Sequence, residues 1–208
     1  ITPQIPVLII AGNHDSPERL SYASPFLEKH RIYLSVFPPQ RPEEYLKRVV
    51  LEDEYGPVNF YLLPFLKPGY VRQVFEGSLP DSYESAVKAI LERESVNDRE
   101  RNVILSHQFY AGGGRDPETC DSEQTVLITG GLDRVDVSAL DSFDYAALGH
   151  IHGSQKVGSD KARYCGTPYK YSVSEEFHRK SITVVNLGRK GEALRLQFLP
   201  LKGIQDVR

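Results

Sequence analysis

"VLIIAGNHDSPERL", residues 7–20, decides how the rest of the chain is read. Val7, Leu8, Ile9 and Ile10 form a short unbroken apolar run, the pattern of a strand covered on both faces in a parallel α/β sheet. Ser16 followed by Pro17 predicts a helix start, with serine as the cap and proline at the first helical position. Asn13, His14 and Asp15 therefore stand on a strand-to-helix turn at a strand's carboxyl end, where open α/β sheets place ligands. Taken alone, the three are equally ordinary turn residues that tolerate unusual backbone angles.

Two later stretches repeat the design. "RNVILSH" ends at His107, and "DYAALGHIH" ends at His150 and His152. If the three strands are parallel neighbours, Asn13, His14, His107, His150 and His152 converge on one crevice. One histidine at a strand end is most often structural, whereas five such groups at successive strand ends make a metal-competent set. Imidazoles with an amide oxygen suit manganese, iron or zinc better than calcium or magnesium. In an extended segment His150 and His152 would point the same way and chelate one ion. On a turn they would diverge and serve two ions, and metals ~3.5–4 Å apart are the usual clamp for displacement at phosphorus.

With 25 Lys and Arg against 28 Asp and Glu, the net charge of −3 gives no electrostatic case for nucleic acid or an anionic membrane as partner. Any nucleic-acid role must rest on a site. Cys120 and Cys165 form no CxxC pair, which argues against a zinc ribbon or a disulfide framework and for a reducing, cytoplasmic setting. No apolar stretch approaches the ~20 residues of a membrane span, and no signal-peptide pattern opens the chain. A chain that starts at Ile1 and has no methionine reads as a piece of a longer one.

Between the motifs the expected order is a helix interrupted near Pro25, then a hairpin in "KRVVLEDEYGPVNFYLLPF" turning at Tyr55-Gly56-Pro57. "SYESAVKAILERES" follows as an amphipathic helix with Tyr83, Ala86, Val87, Ile90 and Leu91 on its apolar face. Residues 111–125, rich in glycine and charge, read as a long surface loop. "ARYCGTPYKYS", "KSITVVNLG" and "EALRLQFLPL" supply further strands, the last two around a turn at 187–191. No repeat or interdomain linker is visible.

"GNHD", "LSHQ" and "GHIH", in this order and on such strands, resemble the later motifs of the calcineurin-like metallophosphoesterases. With "YLLPF" and "GTPYKYSVSE" the resemblance, which runs over nearly the whole chain, narrows to the bacterial DNA-exonuclease subunits of that superfamily. It implies a four-layer α/β/β/α sandwich lacking its N-terminal part, one domain over 1–208, and capping and ATPase-binding regions beyond "FLPLKGIQDVR". Carried over residue by residue, it implies that Asn13, His107 and His150 ligate one metal and His152 the other. His14, oriented by Asp15, would assist the leaving oxygen as proton donor or electrostatic partner. The implied cofactors are two divalent ions, manganese first. The implied activity is double-strand exonuclease and single-strand endonuclease cleavage of DNA in repair, recombination and replication, with an SMC-family ATPase, as a homodimer in the cytoplasm and away from membranes.

Lys170 and Tyr171 are candidates for contacting DNA, against the alternative that they pack a sheet edge, and Arg115 in the long loop is equally open. The family also uses an Asp-x-His and a Gly-Asp pair, the latter bridging the metals, and neither occurs in this chain. This polypeptide alone is therefore expected to be inactive. The competing readings are another phosphoesterase, such as a nucleotidase or phosphoprotein phosphatase, and a non-catalytic scaffold.

Overall fold

A computed structural model describes residues 5–22, 24–75, 80–126 and 133–202. The apolar run opens it as β1 (Val7–Ile10), which leads through the Asn13 turn into α1 (Pro17–Ser21) and α2 (Ser24–Glu28). Pro17 stands at the start of α1 as expected, but the Ser16 hydroxyl donates to Glu18 Oε2 at 3.2 Å instead of capping the helix. The two short helices divide near Pro25, which lies in the first turn of α2.

β2 (Ile32–Ser35) pairs in parallel with β1, and Leu20 and Leu27 pack on the small cluster of Ala11, Leu34 and Val36 beneath it. One expectation fails here. Val7 and Ile9 remain 39% and 38% exposed while Leu8 and Ile10 are half-buried, so β1 is covered on one face only and the described residues leave its Val7–Ile9 face open.

β3 (Lys47–Asp53) and β4 (Gly56–Leu63) form the expected hairpin. Its tip is Glu54-Tyr55, one residue earlier than the sequence predicts. Asp53 Oδ1 accepts the Tyr55 N–H at 2.8 Å, and Gly56 opens β4 at φ 98°, a region that favours glycine. After α3 (Tyr83–Glu92), started by a Ser82–Ser85 capping box, come β5 (Arg101–His107), β6 (Phe109–Ala111), β7 (Arg134–Asp136) and β8 (Tyr145–Gly149). β9 (Gln155–Val157), β10 (Ser159–Tyr164) and the hairpin β11 (Ser181–Asn186) with β12 (Arg195–Pro200) complete the described strands, and short 3-10 helices at Pro68–Val74, Asp121–Val126, Val137–Leu140 and Val173–Glu175 connect them. Residues 203–208, at the end of the segment read as leaving the domain, lie outside the described residues.

A six-stranded mixed sheet in the order β3-β4-β5-β8-β10-β9 is the frame. Its four central strands are parallel, so their carboxyl ends share one edge. One face buries Tyr61, Leu63, Ile104, Ala146, Leu148 and Tyr164 under Ala86, Val87 and Ile90 of α3. The other buries Val58, Val103 and Tyr145 under Val185 and Leu196 of the β11–β12 hairpin. These are three layers, helix on sheet on hairpin, and Phe198 and Leu199 on the hairpin are 47% and 51% exposed. Arg101, only 2% exposed, ties the layers at the far end of the sheet, donating to Asp53, to Gly56 O at 2.6 Å and to Leu187 O at 3.3 Å.

"ARYCGTPYKYS" is a strand only up to Tyr164. Gly166 at φ 77° and Pro168 then turn the chain out of the sheet, so Lys170 and Tyr171 lie in a loop and not on a sheet edge. The Gly-rich segment 111–125 is also more ordered than a free surface loop. Cys120 and Glu123 within it are 3% and 5% exposed, because the Glu123 carboxylate accepts backbone N–H groups from both Cys120 and His152.

Candidate metal centre

The ends of β5 and β8 are hydrogen-bonded parallel neighbours, which brings His107 opposite Gly149 and sets the His107 and His150 rings 5.3 Å apart, edge to face. β1 belongs to a separate two-stranded sheet, so the expectation of three adjacent strands holds for β5 and β8 alone. Its tip still reaches the site, since the Phe65 N–H beyond β4 donates to Ala11 O at 2.9 Å. Asn13 Oδ1 thereby comes to 3.0 Å from His107 Nε2.

Glycines make this approach possible. A Cβ at Gly12 would stand 2.7 Å from His107 Cε1, and one at Gly149 would stand 2.8 Å from its Nδ1. The imidazole is held between two backbones at which any side chain would push it aside. His150 itself adopts φ 108°, a strained conformation for a residue with a Cβ, of the kind that tight packing imposes at functional sites.

The backbone turns at His150, and the alternating pattern of a strand is lost. Ile151 is buried in the main core, His150 faces His107 and Phe109, and His152 faces Tyr171, Ser122 and Glu175. Both rings nevertheless border one cavity of about 230 Å³, with Asn13, His14 and His107 on its other walls. Asn13, His14, His107, His150 and His152 are thus brought together. His14 is exposed at the mouth, and the adjacent Asp15 carboxylate accepts the Gly12 N–H at 2.7 Å, closing its own turn. Lys170 Nζ donates to Glu176 O at 2.6 Å, and Tyr171, 63% exposed, sets its ring 5.5 Å from that of His152.

Burial and mutual repulsion keep His107 and His150 neutral. Burial, followed by repulsion from His14 and His152, lowers the His107 pKa to about 4. Burial, followed by His107, His14 and His152, lowers that of His150 to about 3. Neutral imidazole is the ligating form, and three imidazoles with an amide oxygen around one cavity suit a borderline divalent ion. Asn13, His107 and His150 could hold one ion, with His152 on the opposite wall facing a second.

Sequence reading misses the far wall. Ser122 and Glu123 border the cavity, and behind them the ligating atoms of Cys120, His152 and Glu175 lie within 4.8 Å of one another. Glu175 is fully buried, and Lys180 Nζ donates to its Oε2 at 2.6 Å. Burial raises the Glu175 pKa, but hydrogen bonds from Lys180, His152 and the Tyr171 N–H outweigh it and hold the carboxyl at about 2. The one signal in the sequence is a carboxylate at the end of "YKYSVSE", a segment that stands out for its resemblance and not for that charge.

No family model matches the chain. Among the described residues no helix is long and apolar enough to cross a membrane. Over 206 residues the chain is 29% identical to the SbcD subunit of the SbcCD nuclease of Staphylococcus epidermidis, an alignment that takes in 98% of this chain and 51% of the relative, so the chain spans about half the relative's length.

Proposed function

We propose that this chain is the metal-binding core of an SbcD-like DNA nuclease subunit, within a four-layer phosphoesterase domain that extends beyond residues 1–208. The single observation carrying this reading is the convergence of Asn13, His107, His150 and His152 on one cavity at the carboxyl edge of the sheet. The 29% identity to a nuclease subunit along almost the whole chain supports it. Asn13, His107 and His150 form one ligand set, and His152 serves a second ion together with groups that this chain does not supply. Two divalent ions, manganese first, would supply Lewis-acid polarisation of a phosphodiester and an activated water. His14, exposed at the mouth, would hold a proton for the leaving oxygen, with Asp15 closing the turn that carries it. Lys170 and Tyr171 are the candidates for contacting a DNA strand, Tyr171 with its ring beside that of His152 on the cavity wall.

The full gene product would then cut DNA ends as an exonuclease and single strands as an endonuclease, in repair and recombination. It would work in the cytoplasm as a homodimer with an SbcC-like SMC-family ATPase. The slight negative charge supports dependence on that partner, since a domain with no broad basic face gains little from counterion release. Comparing two stimulations by the ATPase with ATP tests the proposal: cleavage of linear duplex ends should rise far more than hydrolysis of a small aryl phosphodiester, at the same salt and manganese. A gene product that hydrolyses nucleotides or phosphoproteins, ignores duplex ends and does not respond to the ATPase belongs to another phosphoesterase class. One that turns over nothing with metal is a scaffold.

A further inference from the structure

We propose that Glu175 is a positioning residue for His152: its buried carboxylate fixes the imidazole proton on Nδ1, leaving Nε2 as the ligand atom offered to the cavity. This rests on the metal-centre reading above.

His152 Nδ1 lies 3.2 Å from Glu175 Oε1 and 3.0 Å from Ser122 Oγ. An ionised carboxylate only accepts hydrogen bonds, so the nitrogen facing it must carry the hydrogen. Glu175 is itself held by several donors. Oε2 takes the Lys180 ammonium at 2.6 Å, while Oε1 takes the Tyr171 N–H at 3.1 Å and the Ser122 and Ser172 hydroxyls at 3.2 Å each. Lys180 also donates to His152 O at 3.1 Å and to Thr167 Oγ1 at 2.9 Å, tying the histidine's own backbone to the loop that borders the cavity. Glu123 adds a second clamp by accepting the His152 N–H. Backbone and ring are both held, by carboxylates from two short 3-10 helices distant in the sequence. Metal-ligating histidines commonly rely on such a partner at the nitrogen that does not bind the ion.

Cys120, His152 and Glu175 could instead be a cage for a separate ion, since their ligating atoms lie so close. Three observations weigh against that. The Glu175 charge is already matched by Lys180, whose ammonium would repel a neighbouring cation. The Ser122 hydroxyl sits among the three groups, 3.0 Å from both Cys120 Sγ and His152 Nδ1. Burial also raises the Cys120 pKa, which favours the thiol over the ligating thiolate.

Long-range proton–nitrogen correlation of histidine side chains in the metal-free full gene product reads the tautomer directly, without any substitution. The expected result is protonated Nδ1 on His152, and protonated Nε2 would overturn the proposal. In Glu175→Gln, whose side-chain amide can donate to as well as accept from the ring, the tautomer should become mixed. Manganese binding at the His152-dependent site should weaken by about 10–100-fold, the usual cost of losing such a partner. An unchanged tautomer with manganese affinity within about twofold of wild type would also overturn it. Wild-type protein that shows protonated Nδ1 yet binds no manganese would sink the metal-centre reading and leave the fixed tautomer standing.

Discussion

Asn13 and His107 are 94 residues apart in the chain, and their side chains meet at 3.0 Å. That contact joins the tip of an otherwise separate two-stranded unit to the centre of the main sheet. It depends on the His107 ring fitting between Gly12 and Gly149, so the glycines of "GNH" and "GHIH" matter as much as the ligands beside them.

Gly149→Ala tests this dependence. A methyl 2.8 Å from His107 Nδ1 forces the ring to move, which should cost about 1–3 kcal/mol of stability, the usual range for overpacking. It should also weaken manganese binding by at least tenfold, roughly the loss seen when a ligand's orientation is disturbed. Denaturant titration and calorimetry of the variant check the two effects together. Wild-type affinity in a folded Gly149→Ala protein would mean that the cradle does not set the site.

His14 and His150 should separate chemistry from metal binding. In the full gene product, His14→Ala should keep its metal content and lose roughly 10²–10⁴-fold in DNA cleavage, as for a lost acid–base group. His150→Ala should lose metal as well. Elemental analysis beside a cleavage assay reads both, and a His14→Ala protein emptied of metal would make His14 a ligand.

The strand-end histidines are legible because a short apolar run before a polar turn has one reading in an α/β sheet, and the structure carries all three runs as strands. The helix at Tyr83–Glu92 is equally plain from its spacing. What the sequence hides is long-range. Exposure of Val7 and Ile9 depends on what packs over that face of β1, and an apolar run does not name the layer that covers it. Glu123 and Glu175 look like solvated charges in polar segments, yet each is buried between a nearby donor, Cys120 for one and Lys180 for the other, and His152 from a distant part of the chain. Tyr171 reads as a strand residue because its neighbours are aromatic, and Gly166 and Pro168 override that pattern.

Acid should destabilise the metal-free protein in a defined window. His107 and His150 titrate near 4 and 3 when folded, against 6.5 when free, so between those values the unfolded chain binds more protons. Stability therefore rises with pH across this window and is lost as pH falls from 6.5 toward 4. Glu175, held at about 2 against 4.5, extends the loss in the same direction below 4.5. Urea midpoints at about pH 7.5 and about pH 5.5 should differ, with the lower value in acid, and the difference should shrink in His107→Gln/His150→Gln. Equal wild-type midpoints would contradict the burial of two neutral imidazoles.

The central claim is that one cavity holds a divalent ion through histidine nitrogens, and pulsed electron paramagnetic resonance of manganese bound to this 208-residue chain tests it most directly. Because the chain lacks the Asp-x-His and Gly-Asp pairs, calorimetry of the same sample should find one tight ion at most. Its echo modulation should show coupling to imidazole nitrogen, and that coupling should weaken in His107→Ala and again in His150→Ala. Manganese that binds with no nitrogen coupling, or two tightly bound ions in this chain, would contradict the account.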